Sequence, residues 1–426
     1  VEKGGFKKVA TLVGGQLGND VAKPLEDRGV KLLGTAGHSV DAAEDREKFS
    51  NLLDSLGLKQ PEWVSASSED AVRKFVDSVG FPVLVRPSYV ISGSWMKVIH
   101  NEADLMSLIK KIRLSTARPI IISKFMEDAD EAEIDGVSDG KGVIGVVLEH
   151  VDEAGIHSGD ATMTIPNRSL EVTAIDEMKR AAIMLAREIG IHGPFNLQFI
   201  VKNNEPHIIE LNLRASRSMP FSSKAVGVNL IRKSMEAIAR GLSIDGFDEL
   251  RPKAWAVKSP QFSWSQLRGA YPTLGPEMRS TGEAAALGLS FADALLKSWL
   301  STPPNRVPRK SGRVLIYGNG MREAAQSMAR AGYEVITLRG ANASDEAVEL
   351  GIDEAINLVK EGGAELVMTS GDMRGLDYWI RRTAADLNVP LVLSGRLSRE
   401  LAKALELGGY TSVKEIDEYS LRTRFA

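Results

Sequence analysis

The stretch that decides the fold is a pair of apolar runs joined by a polar turn: Pro194-Phe195-Asn196-Leu197-Gln198-Phe199-Ile200-Val201, then Lys202-Asn203-Asn204-Glu205-Pro206, then His207-Ile208-Ile209-Glu210-Leu211-Asn212-Leu213-Arg214-Ala215-Ser216-Arg217. The odd-numbered positions are apolar in both runs, from Phe195 to Val201 and from Ile209 to Leu213. This alternation predicts a β-hairpin with one buried face and one polar face. A turn that covers Asn203-Asn204-Glu205, with the register centred near Asn204, places Gln198 opposite Glu210.

The polar face of this hairpin carries oxygen ligands and positive charge. A hard cation such as Mg²⁺ prefers oxygen donors, and Glu210 with the amide oxygens of Gln198 and Asn212 matches that preference. Arg214 and Arg217 add positive charge for an anion. An ordinary half-exposed hairpin shows the same alternation, so the remainder of the chain must distinguish the two interpretations.

The composition restricts the class of protein. The chain has 426 residues, 43% of them hydrophobic and 26% charged, so we expect about two to four domains. A net charge of -3 disfavours a nucleic-acid partner. The absence of cysteine excludes disulfides, thiolate nucleophiles and thiolate zinc sites, and fits a cytoplasmic location. No run approaches the roughly 18 apolar residues of a membrane span, so we expect no membrane partner.

The first elements form a small β-α-β unit. A strand is predicted at 8–13, a helix at 20–28 and a strand at 30–33, which together are too few to bury both faces of a sheet. We therefore expect the rest of this domain to lie elsewhere, upstream or on another polypeptide. Asp41-Ala42-Ala43-Glu44 has the spacing of a capping box and predicts a helix that starts there and runs through Leu56, with Arg46 in its first turns.

Several weaker signals follow along the chain. A strand is predicted at 82–89, with Arg86 towards its end, and Ser92-Gly93-Ser94 predicts a tight turn whose backbone N–H groups can approach a phosphate. Helices are predicted from Ile175 to Ile189 and from Ser222 to Gly241. His157 and Ser158 lack the Gly-x-Ser-x-Gly spacing of a serine hydrolase, which disfavours that class.

A change of pattern marks the carboxy-terminal part. The proline-rich and polar segment 301–312 predicts a linker, and the residues beyond it alternate between short strands and helices in the manner of a doubly wound parallel sheet. Gly318 and Gly320 follow the first strand, but Glu323 replaces the third glycine of a dinucleotide fingerprint. No Walker A motif occurs in the chain, so a P-loop enzyme is also disfavoured.

Taken together, several separated motifs resemble one family. They are Gly14-Gly15-Gln16, Ala43-Glu44-Asp45-Arg46, Arg86-Pro87-Ser88-Tyr89-Val90, Glu149-His150-Val151, His157-Ser158-Gly159-Asp160, Phe195 to Phe199, Glu210 to Arg217, and Gly275 to Glu283. Their order resembles the second, carboxy-terminal synthetase half of the carbamoyl-phosphate synthetase large chain. The resemblance covers nearly the whole chain. It implies an α/β and α+β multidomain protein: a partial pre-ATP-grasp (Rossmann-like) remnant at 1–43, an ATP-grasp domain at 44–300, a linker at 301–312, and a methylglyoxal-synthase-like regulatory domain at 313–426.

The resemblance also implies roles for individual residues. For the nucleotide, Arg46 and Arg86 resemble contacts to its phosphates, Lys124 and Met126 resemble residues that line the adenine cleft, and Glu131 resembles the ribose ligand. His157 and Ser158 fall in a loop that, in the family, closes on the nucleotide. Gln198, Glu210 and Asn212 resemble metal ligands, and Arg214 and Arg217 resemble the groups that hold the transferred phosphoryl group and its acceptor. Arg86, Arg214 and Arg217 are accordingly the predicted catalytic residues, and Gln198 and Glu210 are also predicted to contact the nucleotide.

The implied reaction is phosphorylation of carbamate by ATP with two Mg²⁺ ions, with Mn²⁺ and K⁺ as further candidates. Carbamate is already anionic, so alignment and charge neutralisation suffice without a general base. The implied partners are an amino-terminal synthetase half and a glutamine amidotransferase subunit, with a homo-oligomer also open. Leu338 and Ala341 stand where effector-binding relatives have threonines, which leaves the effector undefined. Two alternatives remain: another ATP-grasp ligase that activates a different carboxylate, and a catalytically silent effector-binding or docking half.

Overall fold

The computed structural model describes residues 4, 6–87, 96–115, 120–340, 347–371, 373, 375–408, 413–416 and 418–419. The predicted turn Ser92-Gly93-Ser94 and the predicted effector position Ala341 lie outside these residues. No helix in the described ranges is long and apolar enough to cross a membrane.

The elements follow in chain order. The strands are β1 (Lys8–Ala10), β2 (Lys31–Leu33), β3 (Trp63–Ala66), β4 (Val83–Pro87), β5 (Lys97–Ile99), β6 (Ile120–Lys124), β7 (Asp130–Asp139), β8 (Val143–His150), β9 (Met163–Ile165), β10 (His192–Lys202), β11 (Glu205–Asn212), β12 (Phe247–Glu249), β13 (Trp255–Gln261), β14 (Gly282–Gly288), β15 (Arg313–Tyr317), β16 (Glu334–Leu338), β17 (Val348–Leu350), β18 (Leu366–Thr369) and β19 (Leu391–Val392). The helices are α1 (Gly15–Asp27), α2 (Gly37–Glu44), α3 (Arg46–Ser55), α4 (Glu69–Val79), α5 (Glu102–Ser115), α6 (Val172–Ile189), α7 (Met219–Val226), α8 (Leu230–Arg240), α9 (Phe291–Leu300), α10 (Arg322–Arg330), α11 (Ile352–Lys360), α12 (Tyr378–Asp386) and α13 (Gly395–Glu406).

The chain divides into two compact units, one made of residues 1–149 and 167–251 and the other of residues 150–166 and 252–426. In the first unit, β1 and β2 pair in parallel, as the predicted β-α-β unit requires. Strands β3, β6, β4 and β5 form a four-stranded antiparallel sheet in that order. Strands β11, β10, β7 and β8 are hydrogen-bonded in that order and antiparallel, with β12 parallel to β8.

The second unit contains an antiparallel set of strands, β9, β13 and β14, and a five-stranded parallel sheet in the order β17-β16-β15-β18-β19. The five-stranded sheet confirms the predicted doubly wound architecture. The sequence pattern predicted neither strand β17 of this sheet nor helix α11, which follows it in the chain. The predicted domain 44–300 includes residues of both units, and the predicted domain boundaries remain a proposal.

The hairpin β10–β11 has the predicted facing pair, Gln198 opposite Glu210, but the turn and the strand register that produce this pair differ from the prediction. The turn has two residues, Asn203 and Asn204, both with positive φ (51° and 65°), as a type I′ turn requires. The predicted three-residue turn is therefore wrong, because Glu205 already pairs with Lys202.

A β-bulge between this turn and Gln198 restores the predicted pair. Phe199 lies opposite Ile208 and Gln198 lies opposite Glu210, so Ile209 is the additional residue. Ile208 is buried and Ile209 is only partly buried, which corrects the assignment of Ile209 to the dry face.

The dry face of the hairpin packs on α6. Phe195, Leu197 and Phe199 belong to one buried cluster with Met178 and Leu185 of that helix. Each fully buried apolar side chain of this size contributes about 1.5–3 kcal/mol relative to an exposed one. The hairpin is therefore anchored from its apolar side, and its polar side is presented away from this core.

Two helix boundaries differ from prediction. Asp45, not Asp41, caps the helix that carries Arg46, because the Asp45 side chain accepts hydrogen bonds from the backbone N–H groups of Glu47 and Lys48. Arg46 is thus the first residue of α3. The single helix predicted from Ser222 to Gly241 is two helices, since Gly227 adopts a left-handed conformation and ends α7.

A buried acid in the second unit anchors the segment between β8 and β9. Asp152 is 1% exposed, and its Oδ2 accepts a hydrogen bond of 2.6 Å from the backbone N–H of Thr162. Burial and the nearby charge of Glu153 raise the pKa of Asp152 to about 6. Asp152 therefore binds a proton more tightly in the folded chain than in the unfolded chain.

We predict that Asn203→Val lowers the free energy of unfolding by about 1–2 kcal/mol, because a β-branched residue is strained at positive φ. Asn203→Gly is the matched control, since glycine adopts this conformation without steric cost. Urea-induced unfolding measures both. Equal stability of the two variants would contradict the assigned turn.

We also predict a pH-dependent effect of Asp152→Asn. Because the folded pKa is raised, the stabilisation from protonated Asp152 is fully present below its unfolded pKa and is lost as pH rises through about 6. Between pH 4 and 7 the stability of the wild type should fall relative to the variant by up to roughly 3 kcal/mol. Urea unfolding across this range measures the difference, with the exposed Glu349→Gln as control; a constant difference between wild type and Asp152→Asn would refute the assignment.

Candidate active site

The polar face of the hairpin continues onto the neighbouring strand β7. On β11, Glu210 and Asn212 lie opposite Gln198 and Asn196 of β10. On β7, Glu133 and Asp135 lie opposite the same two residues of β10. Glu131 lies two residues before Glu133, and alternate residues of a strand share a face. The face therefore carries a row of carboxylates and amides across three strands.

The β7 side of this face is a buried hydrogen-bond network. Asn196 Nδ2 donates to Glu133 Oε2 at 2.7 Å and to Asp135 Oδ1 at 3.0 Å. The hydroxyls of Ser216 and Ser222 donate to the two oxygens of Asp135 at 2.6 Å each. Burial and the neighbouring Glu133 raise the pKa of Asp135. These bonds fix the loop that follows β11, which carries Arg214 and Arg217.

The β11 side of the polar face offers oxygen atoms that suit a Mg²⁺ ion with only part of its ligands from the protein. Gln198 Nε2 donates to Asn196 Oδ1 at 3.1 Å, which turns the Gln198 amide oxygen away from Asn196. In the part of the chain that the structure describes, no group of three or more Asp, Glu, His or Cys side chains is arranged to hold a metal. Glu210 with the amides of Gln198 and Asn212 thus suits an ion that takes its other ligands from water and phosphate oxygens.

Arg86 lies within electrostatic reach of both Glu210 and Arg46. Burial, together with repulsion from Arg46, lowers the pKa of Arg86 to about 9, and the charge of Glu210 opposes this shift. Arg86 Nη2 donates to Ser123 Oγ at 3.1 Å, while its buried Nε has no hydrogen-bond partner among the described residues. An anion bound between the two guanidinium groups would relieve their repulsion and accept from this donor.

The other residues predicted for the nucleotide lie along β6, β7 and the loop after β11. Lys124, the last residue of β6, donates from Nζ to the carbonyls of Gly80 and Phe81 at 3.2 and 2.9 Å. Met126 is partly buried just beyond that strand, and Glu131 is buried near the start of β7. Arg217 is partly buried in the loop after β11. Their contacts with a nucleotide stay predictions.

His157 and Ser158 belong to the second unit, where backbone hydrogen bonds hold their loop. His157 N donates to the carbonyl of Gly275 at 2.8 Å, and Ser280 Oγ donates to the carbonyl of Gly159 at 2.9 Å. Lys258, 1% exposed, donates from Nζ to the carbonyl of Ser158 at 3.1 Å. The loop is therefore anchored through its backbone. The proposed closing role of this loop stays a prediction.

The sequence predicted a role for Glu131 but not for the other acidic residues of β7 or for several supporting residues. Glu133 and Asp135 alternate with Glu131 in the period of a strand, but they lie outside the motifs on which the predicted site rests. Ser216, Ser222 and Lys258 gave no sequence signal, because they act through partners that are distant in the chain.

Comparison with known proteins finds a family match over the segment that contains the hairpin and its polar face. Residues 45–246 match the family model described as the carbamoyl-phosphate synthase L chain, ATP binding domain. The carbamoyl phosphate synthase large chain of Sulfurisphaera tokodaii is 53% identical over 424 residues, and that of Sulfolobus acidocaldarius is 54% identical over 425 residues. Each alignment covers 98% of this chain and 40% of the relative, so the chain spans about 40% of the length of these curated relatives.

Solved structures share the fold at low identity. The biotin carboxylase domain of Hydrogenobacter thermophilus 2-oxoglutarate carboxylase, solved with MgADP, ADP and bicarbonate, matches with a TM-score of 0.56 at 14% identity, over 69% of this chain and 73% of that chain. N5-carboxyaminoimidazole ribonucleotide synthetase from Thermus thermophilus matches with a TM-score of 0.55 at 14% identity, over 71% and 83%. These similarities confirm the predicted ATP-grasp fold. By the family match, residues 45–246 belong to the family of the carbamoyl-phosphate synthase L chain, ATP binding domain, and the chain is similar in sequence over 98% of its length to carbamoyl phosphate synthase large chains.

Proposed function

We propose that this chain is an ATP-grasp ligase component that phosphorylates carbamate with ATP to give carbamoyl phosphate and ADP. The observation that carries the proposal is the facing pair Gln198 and Glu210, with Asn212 on the same face and Arg86 in electrostatic reach of Glu210. These residues all fall inside the segment matched by the ATP-binding family model.

Each group in the proposed site has one task. Arg46 and Arg86 hold phosphate oxygens, because their mutual repulsion favours a bound anion, as does the Arg86 Nε, which has no hydrogen-bond partner among the described residues. Arg214 and Arg217 hold the transferred phosphoryl group and the acceptor. Lys124, Met126 and Glu131 contact the nucleoside, and the loop with His157 and Ser158 closes on it.

The chemistry needs no acid-base pair. A carbamate oxygen attacks the γ-phosphorus, the bond from that phosphorus to the bridging oxygen breaks, and ADP leaves with the electron pair. Mg²⁺ held by Gln198, Glu210 and Asn212 would neutralise phosphate charge and orient the phosphates. Two such ions are proposed, with Mn²⁺ and K⁺ as further candidates. The protein side chains contribute alignment and positive charge, which phosphoryl transfer chiefly requires.

The partners are proposed from the similarity to carbamoyl phosphate synthase large chains. An amino-terminal synthetase half and a glutamine amidotransferase subunit are proposed as the sources of carbamate. The carboxy-terminal parallel sheet is proposed as the regulatory domain. A second candidate function, activation of bicarbonate or another carboxylate, is favoured by the fold shared with a carboxylase domain that was solved with bicarbonate.

We predict that Glu210→Ala abolishes Mg-dependent formation of ATP from ADP and carbamoyl phosphate, with a loss of at least about 100-fold. The control is Glu205→Ala on the same hairpin, because Glu205 is exposed and its carboxylate forms a surface ion pair of 3.0 Å with Lys59. A coupled assay for ATP measures both variants.

Each outcome of this assay has a definite meaning. Retained activity in Glu210→Ala would overturn the metal assignment. Activity of the wild type with acetyl phosphate but not with carbamoyl phosphate would favour the second candidate function. Binding of MgADP without any phosphoryl transfer would favour a catalytically silent half.

A further inference from the structure

An amide side chain from the first helix lies between Arg214 and a carboxylate. Gln16 of α1 accepts a hydrogen bond of 3.3 Å from Arg214 Nε through its Oε1. Its Nε2 donates to Glu44 Oε1 at 3.0 Å and to Asp20 Oδ1 at 3.1 Å. Only this amide orientation satisfies all three contacts, because a guanidinium only donates and a carboxylate only accepts.

The carboxylate behind Gln16 is held in place from a second side. Asn19, which is buried, donates from Nδ2 to the same Glu44 oxygen at 2.9 Å. Burial raises the pKa of Glu44, whereas the hydrogen bonds from Asn19 and Gln16 lower it; the charge of Arg214 contributes the smallest of these effects. Glu44 and Arg214 thus interact mainly through the neutral amide rather than as a direct ion pair.

The same segment also contacts the backbone beside Arg214. The N–H of Ala215 donates to the carbonyl of Leu12 at 2.9 Å. The other two contacts of the Arg214 guanidinium are local, from Nη2 to Asn212 Oδ1 at 3.2 Å and from Nη1 to the carbonyl of Ala215 at 3.4 Å. Gln16 therefore supplies the one side-chain contact of Arg214 that comes from outside its own strand and loop, among the described residues.

We propose that Gln16 is a positioning residue for Arg214 in phosphoryl transfer, an inference that rests on the proposed function. A neutral acceptor fixes the direction of the guanidinium without neutralising it, so its positive charge stays available for the phosphoryl group or its acceptor. A carboxylate at this position would accept from Arg214 Nε, but it would lose both donated hydrogen bonds, repel Glu44 and Asp20, and cancel much of the charge of Arg214.

The test is a set of variants assayed for ATP formation from MgADP and carbamoyl phosphate. Gln16→Met keeps the length of the side chain and removes its hydrogen bonds, so kcat should fall by about 10- to 100-fold while the KM for MgADP changes little. Gln16→Glu keeps an acceptor for Arg214 Nε but loses the donors to Glu44 and Asp20, so kcat should also fall, and the added negative charge should raise the KM for carbamoyl phosphate. The control is Leu17→Ala, which alters a neighbouring side chain that is 78% exposed.

A double-mutant cycle with Arg214→Ala separates positioning from a general structural effect. Once Arg214 is removed, Gln16→Met should cause no further loss. The same factor of loss in both Arg214 backgrounds, or an unchanged kcat in Gln16→Met, overturns the positioning role. Calorimetric binding of carbamoyl phosphate gives a second measurement, since Gln16→Glu should weaken it more than it weakens binding of MgADP.

The wild type tests the proposed function separately. If it transfers a phosphoryl group from acetyl phosphate but not from carbamoyl phosphate, the acceptor is wrong and the cycle is analysed with acetyl phosphate instead. If it transfers from neither, the proposed function and the positioning role both fail.

Discussion

The register of β10 against β11 is the constraint on which the candidate site depends. A two-residue turn at Asn203-Asn204, continued without interruption, would place Gln198 opposite Ile209 and Glu210 opposite Leu197, so that Glu210 would face the core. One additional residue at Ile209 shifts the pairing by one position. Buried Leu211 favours this shift, because the uninterrupted register would place it opposite Asn196 on the polar face, whereas Ile208 lies opposite Phe199 in either register.

The two sides of the resulting polar face differ in how their charged groups are hydrogen-bonded. On β7, Glu133 and Asp135 are buried and satisfied by Asn196, Ser216 and Ser222, so they serve structure and hold the loop after β11. On the β11 side, the single carboxylate Glu210 lies near the Arg86 guanidinium, which Arg46 repels. Buried carboxylates with complete hydrogen bonding stabilise a fixed arrangement, whereas the incompletely satisfied cationic side favours an anionic ligand.

The second unit is also held together by buried polar groups. Arg381 is fully buried, pairs with Asp377 at 2.5 Å and donates to the carbonyl of Pro272. Arg382 donates to the carbonyls of Trp264, Leu267 and Ala270. Two adjacent guanidinium groups of α12 therefore organise the segment between β13 and β14, because their fixed donor geometry matches several carbonyls at once. The neighbouring residues 275 and 280 of this segment hold the backbone of the loop that carries His157.

The sequence by itself determined the hairpin, the polar identity of Gln198, Glu210 and Asn212, and the parallel architecture of the carboxy-terminal sheet, since alternation and turn residues are local signals. The motifs also predicted the family resemblance. Only the tertiary structure decided the bulge at Ile209, the cap at Asp45 and the end of α7 at Gly227. It alone brought Gln16 and Glu44 to Arg214, which is 198 positions from Gln16 in the chain. Such contacts produce no periodicity in the sequence, because tertiary packing and not spacing along the chain determines which groups form a hydrogen bond.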